Sequence, residues 1–367
     1  MSTIVFTGGG TGGHVYPGLA VYRELSRDHQ EKVLWIGSRR GIERGIVGGE
    51  GLRYRSVPTG KLRRYFDWQN FLDLFRVAAG FFAALWILKR EGASLVFSKG
   101  GFVAVPVVAA ARVAGIPVVV HESDADPGLA TRLTAPLARV ICLPYEESIQ
   151  AFSPSLRGRV VVTGNPVRRE FFSDSSRHAL SLVGLQDEGL PVILVTGGSL
   201  GAHQLNRYVR EQIKALTEIA LVVHQTGDHG KELIGEIAAE AVPGRYAGFP
   251  SFSEEFAPLL QRSDLVICRA GAGSIWELAV TATPAVLVPL SSASSRGDQV
   301  RNAARYAASG AALVFEGGPE DSKDLLVMVQ SLLEDSPRRA AMAEAARSFA
   351  GGNSARSIAG IIGRIIE

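Results

Sequence analysis

Two doubly wound α/β domains, each built on a parallel sheet, are predicted by three observations. Short apolar runs alternate with longer helix-like stretches, the run pattern restarts half-way, and a glycine-rich opening recurs in the second half. In the first half the runs are TIVFTG (3–8), KVLWIG (32–37), SLVFSKGG (94–101), IPVVVHES (116–123) and RVICLP (139–144). In the second they are PVILVTGG (191–198), ALVVHQTG (220–227), DLVICRAG (264–271) and PAVLVPL (284–290). Runs apolar on both faces and separated by helical segments belong to buried parallel strands. The echo is IVFTGGGTGGH against ILVTGGSLGAH. Asn165-Pro166 within TGNPVRREF marks a break between the halves. The expected domains are 1–163 and 164–341.

A length of 367 residues suits two cores, and 46% hydrophobic with 20% charged residues describes a globular chain. Residues 1–163 hold 20 Lys and Arg against 13 Asp and Glu, net +7; residues 164–341 hold 16 against 21, net −5. The first half therefore suits an anionic partner, unless the imbalance is only solvated charge. Cys142 and Cys268 end apolar runs and read as buried free thiols, which fits a reducing compartment. MSTIVFTGGG lacks the basic and apolar regions of a secretory signal.

The opening FTGGGTGGHVYPG matches G-x-G-x-x-G through Gly8, Gly10 and Gly13. A site for NAD needs an acidic residue after the second strand, where this chain has Ser38-Arg39-Arg40, so the dinucleotide reading survives only as NADP held through the arginines. No Lys-Ser/Thr follows the glycines, so a Walker A loop is excluded. What remains is a strand, a glycine loop and a helix expected to start near Pro17, whose first N–H groups favour an anion. The alternative is a tight turn without a ligand. KGGF (99–102) and GGSLGA (197–202) repeat the device, the latter before a helix expected near His203. Two such turns suit a ligand bearing a diphosphate.

DWQNFLDLFRVAAGFFAALWILKR (67–90) carries Phe71, Leu74 or Phe75, Ala78, Phe81 or Phe82 and Leu85 at helical spacing. Its unbroken apolar stretch, 77–88, falls short of the ~20 residues that span a bilayer. It reads either as core or, with Lys61, Arg63, Arg64, Lys89 and Arg90 around it, as a helix lying on an anionic membrane surface.

GGGTGGHVYPGLA, GNPVR, GGSLGA and CRAGAGSIWEL, in this order and at these separations, resemble the MurG family of N-acetylglucosaminyltransferases along nearly the whole chain. The resemblance implies a GT-B fold: two Rossmann-like domains facing a cleft, with the C-terminal helix (within 342–367) packing back on the N-terminal domain. It implies transfer of GlcNAc from UDP-GlcNAc to the C4 hydroxyl of lipid I, giving lipid II for peptidoglycan. An acceptor and membrane-binding first domain and a UDP-GlcNAc-binding second domain are implied with it. Thr11, Gly12 and Gly13, with Gly9 and Gly101, would face the acceptor diphosphate. His14 would be the catalytic base. Arg168, Gly198 and Ser199 would contact the donor diphosphate. Ser253, in FSEE, would read uracil through its backbone; Ala272 and Gly273 would open the helix beside the donor; Glu277 would accept from the ribose hydroxyls; Gln299 would hold the sugar. The chain carries HESD (121–124) where many members read HEQN, and shares GSxxGIER (37–44) and GKLRRY (60–65) with the branch that does so. Asp124 thereby becomes a second candidate proton acceptor. Asp298-Gln299 replaces a glutamine pair.

From the residues themselves, His14 has a suitable pKa for a base, or it makes a structural hydrogen bond within its loop. His121-Glu122 could serve instead, or pack and cap the next helix. Glu277 reads as a ligand or as a helix-dipole residue. His224 and His229 read as loop residues, and no metal-ligand spacing appears. No cofactor is expected, so helix N-termini and Arg168 would stabilise the leaving diphosphate. No nucleophile pair points to a covalent intermediate, and direct displacement with inversion is what the resemblance implies. UDP-GlcNAc, lipid I and an anionic membrane are the expected partners, with cell-wall and division machinery besides and no nucleic acid. The place expected is the cytoplasmic face of the plasma membrane, peripherally.

Overall fold

The computed structural model describes residues 2–60, 68–198, 201–290, 297–318 and 320–367, with backbone alone over 68–74. Two compact units are present: Met1–Arg168 with Gly352–Glu367, and Arg169–Gly351. Their limits lie beyond the expected 163 and 341. The helix Ser336–Ala350 stays with the second unit, where Phe349 packs against Trp276 and Tyr306 with ring centroids 5.5 and 4.9 Å apart.

The first unit holds a parallel sheet in the order β3-β2-β1-β4-β5-β6-β7. Its strands are β1 (Thr3–Thr7), β2 (Val33–Ser38), β3 (Arg53–Val57), β4 (Ala93–Ser98), β5 (Val118–His121), β6 (Val140–Leu143) and β7 (Val160–Val162). Side chains alternate across a strand. Thus Ile4 and Phe6 join Trp35, Leu95 and Phe97 on one face, while Val5 joins Leu34, Ile36 and Val96 on the other.

The first face is covered by the C-terminal helix Ser354–Ile366, which contributes Ile358, Ile361 and Ile362. This helix starts at Asn353, whose side chain accepts from the Arg356 N–H at 3.0 Å. Glu24 then accepts from Arg356 Nε at 3.0 Å. The second face is covered by Trp68–Arg90 and Ala104–Val113, through Ala84, Leu88, Val107 and Val108.

The second unit repeats the plan as β10-β9-β8-β11-β12-β13, again all parallel. These are β8 (Val192–Thr196), β9 (Leu221–Gln225), β10 (Tyr246–Phe249), β11 (Leu265–Cys268), β12 (Ala285–Leu287) and β13 (Ala312–Val314). The echo now has a structural meaning. IVFT lies on β1 and ILVT on β8, and β4 and β11 occupy the matching place beside them. Both cysteines are buried and free.

Candidate active site

The first glycine loop leaves β1 at Thr7, whose hydroxyl donates to Ile36 O at 2.9 Å. The helix that follows is Gly12–Glu24, with extended Thr11 before it. It therefore begins five residues before Pro17, the expected start. Pro17 lies in its second turn, where a missing N–H costs the bond to the Gly13 carbonyl and leaves the first amides in place. The N–H groups of Thr11, Gly12 and Gly13 meet no acceptor among the described residues, as the first turn of a helix requires. A Cβ on Gly13 would find its nearest neighbour 3.8 Å away. Nothing in the chain forces a glycine there, so the bare position suits a group that comes from outside.

Other glycines have internal reasons. Gly101 adopts φ +80°, and a side chain there would strike the Gly9 carbonyl, so the two glycine loops touch backbone to backbone. A Cβ on Gly9 would fall 2.5 Å from Glu43 Cδ. Glu43 is fully buried. One carboxylate oxygen accepts from the Ser38 N–H (2.8 Å) and hydroxyl (2.5 Å), and the other from the Gly10 N–H (3.1 Å). Burial raises its pKa, but the Ser38 and Gly10 donors outweigh that and hold it below the usual carboxylate value. This brace of the glycine loop was missed in the sequence. Its only signal was GIER (41–44), quoted as a branch feature without a role.

His14 is the third residue of the helix. Its Nδ1 lies 3.0 Å from Thr11 Oγ1, and its N–H donates to Thr11 O at 3.1 Å. Burial pushes the imidazole down to about 4; the Lys99 ammonium pushes the same way, and Glu122, the Gly9 carbonyl and Glu43 oppose it. The ring is therefore neutral near pH 7.

The turn after β5 is closed by Glu122. Its oxygens accept from the N–H groups of Ser123 (2.7 Å), Asp124 (3.2 Å) and Gly128 (2.9 Å), and from the Thr131 hydroxyl (2.5 Å). Such a fully occupied carboxylate holds the turn and the start of Leu129–Thr134, which matches the capping alternative. His121 is buried and its Nε2–H donates to Gly164 O at 2.9 Å, so it packs. Asp124 stands half-buried on the braced turn. The Arg168 guanidinium lies over the Tyr16 ring at 5.2 Å, on the helix that carries His14.

In the second unit, Gly198 follows β8 at φ +78°, and its N–H donates to Thr196 Oγ1 at 3.1 Å. Ser199 lies outside the described residues. The helix His203–Ile219 starts where expected. The turn after β11 opens the helix Ala272–Thr281. The N–H groups of Ala272, Gly273 and Ser274 meet no acceptor among the described residues, and a Cβ on Gly273 would find nothing within 4 Å. Glu277 lies in the second turn of this helix, beyond the reach of the dipole that offered its bland explanation.

Gln299 opens the helix Asp298–Ala308 after β12. Its Oε1 accepts from the Leu290 N–H at 3.0 Å, which leaves the amide N–H groups to donate. Asp298 pairs with Arg301 at 2.6 Å. The Ser253 N–H donates to Glu255 Oε2 at 2.9 Å, in a turn flanked by Phe249, Phe252 and Phe256. His224 departs from expectation. It lies on β9, fully buried, between Asn206 Oδ1 (3.1 Å) and Tyr246 OH (3.2 Å), because the strand runs on through it. Among the described residues no three His, Cys, Asp or Glu side chains gather to hold a metal ion.

Two family models match the chain: the glycosyltransferase family 28 N-terminal domain over residues 4–142 and the family 28 C-terminal domain over residues 192–359. A protein of Treponema denticola, named UDP-N-acetylglucosamine--N-acetylmuramyl-(pentapeptide) pyrophosphoryl-undecaprenol N-acetylglucosamine transferase, is 41% identical over 98% of this chain and 96% of its own. The chain belongs to the MurG family of glycosyltransferase family 28. A Clostridium botulinum protein of the same name is 42% identical over 91% of this chain and 92% of its own. The crystal structure of Acinetobacter baumannii MurG superposes with a TM-score of 0.75 at 28% identity, covering 99% of this chain and all of that one. The fold is GT-B, and as a MurG-family member the chain is a glycosyltransferase.

Proposed function

We infer that the chain transfers GlcNAc from UDP-GlcNAc to the C4 hydroxyl of lipid I, forming lipid II in peptidoglycan synthesis. The observation that carries the site assignment is a shared one. Each unit opens a helix with three successive amides that meet no acceptor among the described residues, those of Thr11, Gly12 and Gly13 in one and of Ala272, Gly273 and Ser274 in the other, and with a glycine as its second residue that has room for a side chain. In the first unit, Thr11, Gly12 and Gly13 would take the acceptor diphosphate, with Gly101 shaping the loop. In the second, Ala272 and Gly273 would take the donor diphosphate with Gly198 and Ser199, and Arg168 would add its charge. Glu277 would accept from ribose, Gln299 would donate to the sugar, and the Ser253 turn would hold uracil.

The acceptor O4 forms a bond to C1 of GlcNAc as the C1–O bond to UDP breaks. Configuration at C1 inverts, and the electron pair leaves on the β-phosphate. The O4 proton passes to His14 or to Asp124. In the tautomer whose Nδ1–H donates to Thr11 Oγ1, His14 offers Nε2 to the proton. The test is UDP release from UDP-GlcNAc with and without a lipid I analogue. Acceptor-dependent release is expected; bound UDP-GlcNAc without turnover would make the protein a binding module.

The reading includes a peripheral position on the cytoplasmic face of the plasma membrane, beside the lipid-linked acceptor and the cell-wall and division machinery. It is supported by Phe75, Phe82 and Trp86, 59%, 67% and 60% exposed on one helix. Lys89 and Arg90 end that helix, and the Arg90 guanidinium lies 5.0 Å over the Trp86 ring. Lys61, Arg63, Arg64, Phe71 and the Leu74 side chain lie outside the described residues. No helix among the described residues is long and apolar enough to cross a membrane. Phe82→Ser with Trp86→Ser should abolish co-sedimentation with anionic vesicles and leave UDP binding intact.

A further inference from the structure

Lys99 is the first residue after β4 and is only 2% exposed. Its N–H donates to Thr7 O at 2.8 Å, which ties it to the end of β1. Its Nζ donates to Ser123 Oγ at 2.5 Å, and Ser123 Oγ donates on to Asn165 Oδ1 at 2.9 Å. This one residue thus links the ends of four strands, β1 through its main chain and β5 and β7 through its side chain. Nζ has no second acceptor among the described residues, although an ammonium carries three donors. Three buried polar atoms on the same strand ends also lack partners: Ser98 Oγ, His121 Nδ1 and Asn165 Nδ2.

Burying an ammonium costs several kcal/mol unless its hydrogen bonds are met. A lysine kept for structure alone would have them met. The His14 ring lies alongside, its Cδ2 3.6 Å from where a Gly100 Cβ would stand.

We propose that Lys99 is a positioning residue for the transfer: joined to the end of β1 by its main-chain N–H, it holds the turn bearing Asp124 through its buried ammonium and supplies the fixed positive charge beside His14. The proposal rests on the lipid I reading above. It holds whichever of the two groups takes the proton. The positive charge disfavours imidazolium at His14, which keeps that ring unprotonated at neutral pH, and its attraction to Asp124 helps hold the turn. The groups facing Lys99 are His14 from the first helix, His121 at the end of β5, and Glu122 and Asp124 after it; Glu43 also acts on His14. Burial brings Lys99 itself down to about 8, against the pull of Glu122 and Asp124. The charge is therefore present at neutral pH and lost as pH rises through about 8.

The experiment is a pH–rate profile of the full chain, with UDP-GlcNAc and a lipid I analogue, for wild type, Lys99→Met and Lys99→Arg. Lys99→Met should lower kcat about 10- to 100-fold, as displacement of a reacting group does, with the KM for UDP-GlcNAc unchanged. Its acid limb should move to higher pH by about one unit. Lys99→Arg should recover most of the rate and remove the alkaline fall near pH 8. A second measurement needs no turnover: the His14 ring titration, followed by NMR, should move upward in Lys99→Met. Lys99→Gln replaces it if the methionine variant does not fold. Wild-type rate and limbs in Lys99→Met would overturn the proposal, as would an unmoved His14 titration. Failure of the wild type to use the lipid I analogue would overturn the reading of function instead, and the titration would still decide the role of Lys99.

Discussion

The strand ends of the two units share one feature and differ in another. The shared feature is a helix start with three successive amides unmet among the described residues, at Thr11, Gly12 and Gly13 and at Ala272, Gly273 and Ser274, and a glycine as the helix's second residue, Gly13 or Gly273. The differing feature is the basic residue that follows β4 and β11, which hold matching places in their sheets. Arg269 is Lys99's counterpart. One guanidinium nitrogen of Arg269 donates to Gln204 Oε1 (2.9 Å), Val288 O (2.8 Å) and Pro289 O (3.4 Å). Lys99 reaches the corresponding turn, after β5, but finds a single acceptor there. What both units keep points to a need both share, a bound diphosphate. What differs separates a cation that builds the turn from one that charges the site.

The largest effect should come from the chemistry, proposed for His14 or Asp124 in the first unit. His14→Ala should lower kcat ~10²–10⁴-fold, the usual worth of a general base, and leave UDP affinity nearly intact. Glu277→Ala should do the reverse, weakening UDP and sparing the acceptor KM. If Asp124 is the base, Asp124→Asn shows the larger kcat loss of the two. Because burial holds His14 at about 4, its imidazole stays neutral as pH falls from 7 to 5. The wild-type acid limb should therefore lie below pH 5; a limb at the ordinary histidine value, about 6.5, would contradict that environment.

Stability should sort the two cations next. Arg269→Met leaves the Val288 carbonyl and the Gln204 oxygen without their donor and should cost about 2–4 kcal/mol in urea unfolding. Lys99→Met removes a poorly satisfied buried charge and should leave stability unchanged or raised. Equal losses in the two variants would erase the distinction. Glu43→Ala strands the donors of Ser38 and Gly10 and should cost about 2–3 kcal/mol, with a further rise in acceptor KM as the loop loosens. The smallest effect is expected at Gly13→Ala. Alanine favours a helix by roughly 0.5–1 kcal/mol, so this variant should melt no lower than wild type while its acceptor KM rises.

What the sequence disclosed follows from burial. Each of the nine apolar runs became an interior strand, and the four strands without such a run, β3, β7, β10 and β13, are the four sheet edges. Interior strands are enclosed on both faces and read as continuous apolar runs. An edge such as Arg53–Val57 is exposed at Arg53, Arg55 and Ser56, and its sequence, RYRSV, resembles a loop.

The site divided in the same way. Glycines and His14 announced themselves because bare backbone in clusters is rare. Glu43 and Lys99 did not, because a buried charge is defined by the partners it meets, and these come from other strand ends: nearby Ser38 and distant Gly10 for one, Ser123 and through it Asn165 for the other. Pro17 misled the reading of the first helix, since its preference for helix starts was outweighed by a glycine loop that could turn earlier.

The account turns on one statement, that Gly13 and Gly273 are bare for the sake of a ligand and not of the fold. Calorimetric titration of UDP into wild type and Gly273→Ala, with melting temperatures for both, tests it most directly. The account predicts that UDP binds the variant about tenfold more weakly, a loss of about 1.4 kcal/mol, while the melting temperature is unchanged or higher. Equal affinity, or weaker binding accompanied by a lower melting temperature, would contradict it.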